Sequence, residues 1–260
     1  MSLPDPLASF RLDDRLIVVT GASSGLGRSF AEAFARLGAR VVLAARHRDN
    51  LAQVARVILD AGGRAEVVPT DILRLDEIQA LADAVAGFAG QHERIVLVNN
   101  AGLGFTKPAL DVTEADWDGL IDLHVKGTFF CSQHIGALML ARGYGKIINL
   151  SSAWAASTDV DKSVYCTAKA AIGQMTAALS TEWAPRGVRV NALAPTTTMT
   201  DFVRDSLAAR QDRAERLARR IKLGRFAEPS DIVGAAVFLA SAASDFVTGQ
   251  TLFVDGGFTT

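Results

Sequence analysis

Short apolar runs alternate along this chain with longer segments in which apolar residues recur every three or four positions. The short runs predict strands, and the helical period between them predicts crossover helices. Strands are expected over 16–20, 40–44, 65–68, 95–99, 146–151, 188–193 and 251–254. Few charges interrupt these β-branched runs, which suits strands buried on both faces. Helices are expected over 25–37, 50–60, 76–89, 114–142, 164–184 and 231–240. Seven strands joined by helices imply right-handed crossovers and one doubly wound α/β domain over 1–260, with helices on both faces of a parallel sheet. Ligands of such sheets bind outside the carboxyl ends of the strands.

Length and composition narrow the function classes. A chain of 260 residues is long enough for a substantial core. With 49% hydrophobic and 21% charged residues and a formal net charge of −1, it gives no reason to expect nucleic acid or an acidic membrane as partner. Cys131 and Cys166 form no CxxC pair and read as reduced, packed thiols. Met1 to Asp14 lack a basic stretch followed by an apolar one, and no apolar run reaches the ~18 residues of a membrane span. A cytoplasmic protein without a membrane partner is expected.

Chemistry-bearing residues cluster after the predicted strands. Thr20-Gly21-Ala22-Ser23-Ser24-Gly25-Leu26-Gly27 joins the first strand to the first helix. Its glycines permit a tight turn and close approach of a pyrophosphate to the helix N-terminus, which makes the sheet Rossmann-like, although the G-x-x-x-G-x-G spacing is not the common fingerprint. After the second strand, where a carboxylate would bind an adenosine ribose, the chain reads Ala45-Arg46-His47-Arg48. Arg46 could pair with a 2′-phosphate, favouring NADP(H) with NAD(H) as the second option; otherwise it starts an exposed helix. Asp71 could cap the next helix or touch an adenine. Asn99-Asn100-Ala101-Gly102 could satisfy backbone groups where strands splay, its glycine leaving room for a ribose. Tyr165 and Lys169, at i and i+4, share a helix face, where an ammonium would lower the phenol pKa. Ser152 could complete a site for a carbonyl oxygen, although a Tyr-x-x-x-Lys pair also occurs on solvated helices.

Together Thr20 to Gly27, Asn99 to Gly102, Ser152, Tyr165 with Lys169, and the ending Val254-Asp255-Gly256-Gly257 resemble the short-chain dehydrogenase/reductase family over about residues 12–257. The resemblance implies a nicotinamide-dependent oxidoreductase of a carbonyl or alcohol, usually a homotetramer. It implies Tyr165 as general acid/base, Lys169 as the residue that tunes it and binds the nicotinamide ribose, and Ser152 as the residue that orients the carbonyl. Gly21, Ser23, Ser24, Gly25, Leu26, Gly27, Arg46, Asp71, Asn99, Ala101 and Gly102 would contact the cofactor, with Pro195, Thr198 and Thr200 on the nicotinamide side.

Two positions depart from the family's pattern. His124 stands where relatives have the asparagine of a catalytic tetrad, so it is either part of a proton relay or a satisfied buried histidine. Thr196 replaces a glycine after Pro195, so an ordinary negative φ is expected there; the Pro-Thr pairing resembles members that reduce xylulose and dicarbonyls. A substrate lid is expected at about 196–224. Its helical part carries Arg204, Arg210, Arg213, Arg216, Arg219, Arg220 and Lys222, which either favour an anionic substrate or form a solvated face. Trp154 and Val160 are candidate pocket walls or core residues. The readings are an NADP(H)-dependent reductase of a small ketone, sugar or polyol, a 3-oxoacyl-carrier-protein reductase, or a non-catalytic nucleotide sensor.

Overall fold

The computed structural model describes residues 7–208 and 211–260. Met1 to Pro6, Arg210 and the side chain of Arg213 lie outside the described residues. Seven parallel strands form one sheet in the order β3-β2-β1-β4-β5-β6-β7. They are β1 (Arg15–Thr20), β2 (Arg40–Ala45), β3 (Arg64–Pro69), β4 (Arg94–Asn99), β5 (Gly145–Leu150), β6 (Val188–Pro195) and β7 (Thr251–Val254). The crossovers are α1 (Gly25–Arg36), α2 (Arg48–Asp60), α3 (Leu75–Phe88), α4 (Glu114–Ile121), α5 (Gly127–Arg142), α6 (Ser163–Trp183), α7 (Asp201–Ala208), α8 (Gln211–Arg220) and α9 (Pro229–Ala240). The strand order reverses between β1 and β4, so the carboxyl ends of these two strands flank the crevice.

Alternation along β1 explains why an uninterrupted apolar run makes a strand. Ile17 and Val19 enter a core with Phe30, Phe34, Leu51 and Ile232, from α1, α2 and α9. Leu16 and Val18 enter the opposite core with Ile78, Leu81, Ile135 and Leu179, from α3, α5 and α6. Both faces are covered, so no polar face is needed.

One expected helix is divided. The span 114–142 is interrupted by a π-turn, Asp122–Lys126, in which the Gly127 N–H bonds the Asp122 carbonyl. The extra residue per turn breaks the simple helical period, and such turns cluster at functional sites. The helical part of the expected lid holds α7 and α8, with residues 209–210 between them outside the described residues. Thr196 has no positive φ, as its side chain led one to expect.

The first crossover depends on glycine for space. Gly21 has φ +64°, and a Cβ there would lie 2.8 Å from Ala101 Cα. A Cβ on Gly27 would lie 2.2 Å from the Gly21 carbonyl oxygen, so α1 meets the turn backbone to backbone. Gly87, near the end of α3, is exposed with nothing within 4 Å of its would-be Cβ. The two sites predict opposite signs. Gly27→Ala should destabilise by about 1–3 kcal/mol through overpacking, and Gly87→Ala should stabilise by up to about 1 kcal/mol through helix propensity. Urea unfolding of the two variants beside the parent checks both.

Candidate active site

The site begins where β5 ends. Ser152 has extended backbone and starts a 3-10 turn, Ala153–Ala155; its Oγ accepts from Trp154 N at 3.2 Å and lies 3.4 Å from the Pro195 carbonyl. The hydroxyl is therefore placed by its own turn and by the end of β6. α6 then runs back across the sheet. Ser151 Oγ donates to the Lys169 carbonyl at 2.9 Å, fixing the helix against the strand end.

On α6, Lys169 is 5% exposed and its Nζ donates to the Leu150 carbonyl at 2.7 Å. That Nζ lies 5.7 Å from the Tyr165 ring centre, so the pair does share one face. The expected electrostatics are not what results. Burial lowers the Lys169 ammonium to about 7. Burial also raises the Tyr165 phenol to about 12, with the Ser152 hydroxyl pulling the other way. Desolvation thus penalises the charged form of both partners and dominates the shift of each. At neutral pH the phenol is a protonated donor.

His124 enters the same cluster from the π-turn. It is 2% exposed, and its ring meets the Tyr165 ring edge-on, centres 5.7 Å apart and planes at 89°. Nε2 lies 2.9 Å from the Leu103 carbonyl and 3.3 Å from the Leu103 N–H, so it donates to the one when protonated and accepts from the other when not. Nδ1 is buried and without a hydrogen-bond partner among the described residues. Burial first, and the Lys169 charge second, lower this imidazole to about 3, while the bond to Leu103 opposes them. His124 is neutral across the ordinary working range.

The glycine turn and the end of β4 lock together. Thr20 Oγ1 accepts from Asn100 N at 3.0 Å and from Ala101 N at 3.1 Å, and Asn100 Nδ2 donates to the Thr20 carbonyl at 3.0 Å. Thr20 and Asn100 went unselected as site residues; their place at a strand end opposite the glycine turn was the signal. Ser24 makes no side-chain cap at the start of α1, leaving that helix end open to an external acceptor. Gly25 faces Thr200: a Cβ on Gly25 would come within 3.2 Å of Thr200 Cγ2. The turn that holds Ser23 and Leu26 is thereby brought to the loop after β6, where Thr198 Oγ1 donates to the Thr196 carbonyl.

Other expected residues are placed differently. Asn99 turns its amide inward, donating at 2.9 Å to both Ser132 Oγ and Asn149 Oδ1, so its side chain braces the core. Gly102 leaves room for an imidazole: a Cβ there would lie 2.5 Å from His124 Cε1. Asp71 accepts from Leu73 N at 3.0 Å and shapes the turn before α3. Arg46 is exposed and precedes α2, whose cap is His47. Trp154 is packed against Phe258, ring centres 5.0 Å apart, and Val160 is exposed. Lys162 was overlooked: its Nζ donates to the Phe105 carbonyl at 2.9 Å and stands 5.1 Å from the Tyr165 ring centre.

The chain is similar to known proteins over nearly its whole length. A family model described as enoyl-(acyl carrier protein) reductase matches residues 21–259. The galactitol 2-dehydrogenase (L-tagatose-forming) of Cereibacter sphaeroides is 40% identical over 256 residues, covering 96% of this chain and 97% of that protein. The NAD-dependent glycerol dehydrogenase of Listeria innocua is 38% identical over 252 residues, 96% of each chain. Among solved structures, a gluconate 5-dehydrogenase from Burkholderia cenocepacia in complex with NADP and tartrate superposes with TM-score 0.92 at 35% identity, covering 98% of this chain and 99% of that one.

The neutral, buried His124 predicts an acid-sensitive fold. Its folded pKa, about 3, lies below the ordinary value near 6.5. The unfolded chain therefore takes up a proton that the folded chain refuses, and stability falls as pH drops from about 6.5 toward 3, by up to about 1.4 kcal/mol per pH unit. Urea midpoints should fall more between about pH 7 and pH 5 for the parent than for His124→Asn. Equal falls would remove His124 as the cause.

Proposed function

The chain belongs to the short-chain dehydrogenase/reductase family, and on that premise we propose how its own residues serve catalysis. It is an NADP(H)-dependent oxidoreductase that interconverts a carbonyl and a secondary alcohol on a small ketone, sugar or polyol. NADP(H) is favoured and NAD(H) is the second option. The relatives' polyol and sugar-acid activities do not favour an acyl-carrier-protein substrate.

The residues present fit a dinucleotide. The α1 N-terminus has no side-chain cap, and Cβ atoms on Gly21, Gly25 and Gly27 would meet Ala101, Thr200 and the turn's own carbonyl. Gly21, Ser23, Ser24, Gly25, Leu26 and Gly27 would hold the diphosphate. Arg46, exposed at the end of β2, would take the 2′-phosphate through its planar fork. Asp71 would lie by the adenine, and Asn99, Ala101 and Gly102 would line the crevice through their backbone. Pro195, Thr198 and Thr200 would face the nicotinamide side. Bound there, the nicotinamide supplies or accepts a hydride.

The observation that carries the reading is the convergence of three side chains at one strand end. Ser152 has an oriented hydroxyl, Tyr165 a protonated phenol, and Lys169 an ammonium near its titration point. Ser152 would orient the carbonyl oxygen and Tyr165 would pass it a proton as it becomes an alkoxide. Lys169 would replenish that proton and bind the ribose. His124, whose buried Nδ1 has no hydrogen-bond partner among the described residues, would extend the relay from Lys169. Trp154 would wall the substrate side. A lid over about 196–224 belongs to the same proposal, as do a homotetramer and a cytoplasmic location. Exposed Trp117 and Phe129 on α4 and α5 support self-association, and the unpaired Cys131 and Cys166 support a reducing compartment. No described helix is long and apolar enough to cross a membrane.

Tyr165→Phe should lower kcat by roughly 10²–10⁴-fold while NADPH still binds, measured by steady-state turnover and fluorescence titration; equal turnover would sink the mechanism. Alcohol oxidation needs the phenolate, so its rate should rise with pH toward about 12, while ketone reduction, which needs the protonated phenol, should hold level through Tyr165 until the pH nears that value. His124→Asn should alter turnover or this profile, and an unchanged result removes His124 from the relay. Arg46→Ala should erase the preference for NADPH over NADH, and a preference that survives it refutes the role of Arg46.

A further inference from the structure

Among the described arginines in and beside the lid, four face carboxylates and Arg220 does not. Arg204 faces Glu228 at 3.5 Å, Arg216 faces Asp159 at 3.3 Å, Arg219 faces Glu215 at 3.2 Å, and Arg225 holds Asp231 at 2.6 Å. Arg220, the last residue of α8, has no carboxylate partner among the described residues. Its guanidinium carbon lies 4.4 Å from the Phe258 ring centre and 5.2 Å from that of Trp154. One terminal nitrogen donates to Ser157 Oγ at 2.7 Å and the other to the Thr158 carbonyl at 3.2 Å.

Both hydrogen-bond partners are neutral, so the charge is uncompensated. A guanidinium has five N–H donors, and two bonds leave three to spare. The aromatic rings and the loop after Ser152 hold the fork in place, which is the preorganisation that bidentate carboxylate recognition needs. The nearest acid in that loop, Asp159, is taken up by Arg216. Arg220 also touches the segment that follows Ser152. Trp154 follows Ser152 by two residues, and Tyr165 packs against the cluster of Trp154, Leu217, Ile221 and Phe258 that Arg220 covers. On the other side of Tyr165, the Lys162 ammonium stands over the phenol ring.

We propose that Arg220 binds a carboxylate on the substrate, so that the enzyme prefers polyhydroxy acids to neutral polyols. This rests on the oxidoreductase reading above and goes beyond it by naming the class. Arg220 is a specificity residue that contributes to binding and moves no proton.

The test is steady-state oxidation of gluconate and of a neutral hexitol panel by the full chain with NADP⁺, for the parent, Arg220→Gln, Arg220→Lys and Arg219→Gln. The parent should favour gluconate in kcat/KM. Arg220→Gln should reduce that preference about 10–100-fold, mainly through KM, as expected for loss of a charge-assisted bond. Arg220→Lys should restore part of it, and Arg219→Gln, on the outer side of α8, should leave it intact. The gluconate rate should also fall with added salt while the hexitol rate does not. A parent that oxidises hexitols without favouring gluconate, or a preference that survives Arg220→Gln, overturns the proposal and spares the oxidoreductase reading. Turnover of neither class overturns both.

Discussion

Everything at the ligand-facing edge of the sheet depends on how closely the first turn approaches the end of β4. Gly27 meets the Gly21 carbonyl with no room for a Cβ, and Gly21 meets Ala101 in the same way. Thr20 and Asn100 then exchange hydrogen bonds across the gap. These contacts close the two strand ends into one wall and leave the N-terminus of α1 pointing outward. A methyl group at either glycine would separate strand from helix, and the crevice would lose its shape.

The same close packing governs the acid/base chemistry. Half-buried Tyr165 and buried Lys169 and His124 are crowded into a small volume where water stabilises charge poorly. Each is displaced toward its neutral form: the phenol upward, the ammonium and the imidazole downward. Desolvation therefore outweighs the attraction that a tyrosine–lysine pair suggests when the two are considered alone. The outcome still suits proton transfer. A lysine brought near neutrality exchanges protons readily, and a protonated tyrosine beside an oriented serine can donate.

His124 and Gly102 form a matched pair. The ring of His124 occupies the space that a side chain at 102 would need, and the π-turn delivers the ring to that point. The substitution at 124 is thus accommodated by local backbone geometry, with Leu103 completing the contact. At the lid the same economy of charge holds. Among the described residues in and beside it, four arginines face carboxylates, and Arg220 bonds only neutral partners.

By itself the sequence determined the sheet, its seven strands and its main crossovers, because uninterrupted apolar runs and helical periodicity are local signals. It also determined the order of Ser152, Tyr165 and Lys169, since i and i+4 on a helix require no tertiary knowledge. The π-turn was invisible, because one added residue in a helix leaves almost no trace in an apolar period. The inward turn of Asn99, the imidazole beside Gly102 and the unpaired state of Arg220 were likewise not legible: each depends on partners from Ser132, His124 or the lid that are distant in sequence. Only the tertiary structure decided the signs of the pKa shifts. Spacing says which charges are near, but burial, which is set by the whole fold, says whether those charges can exist.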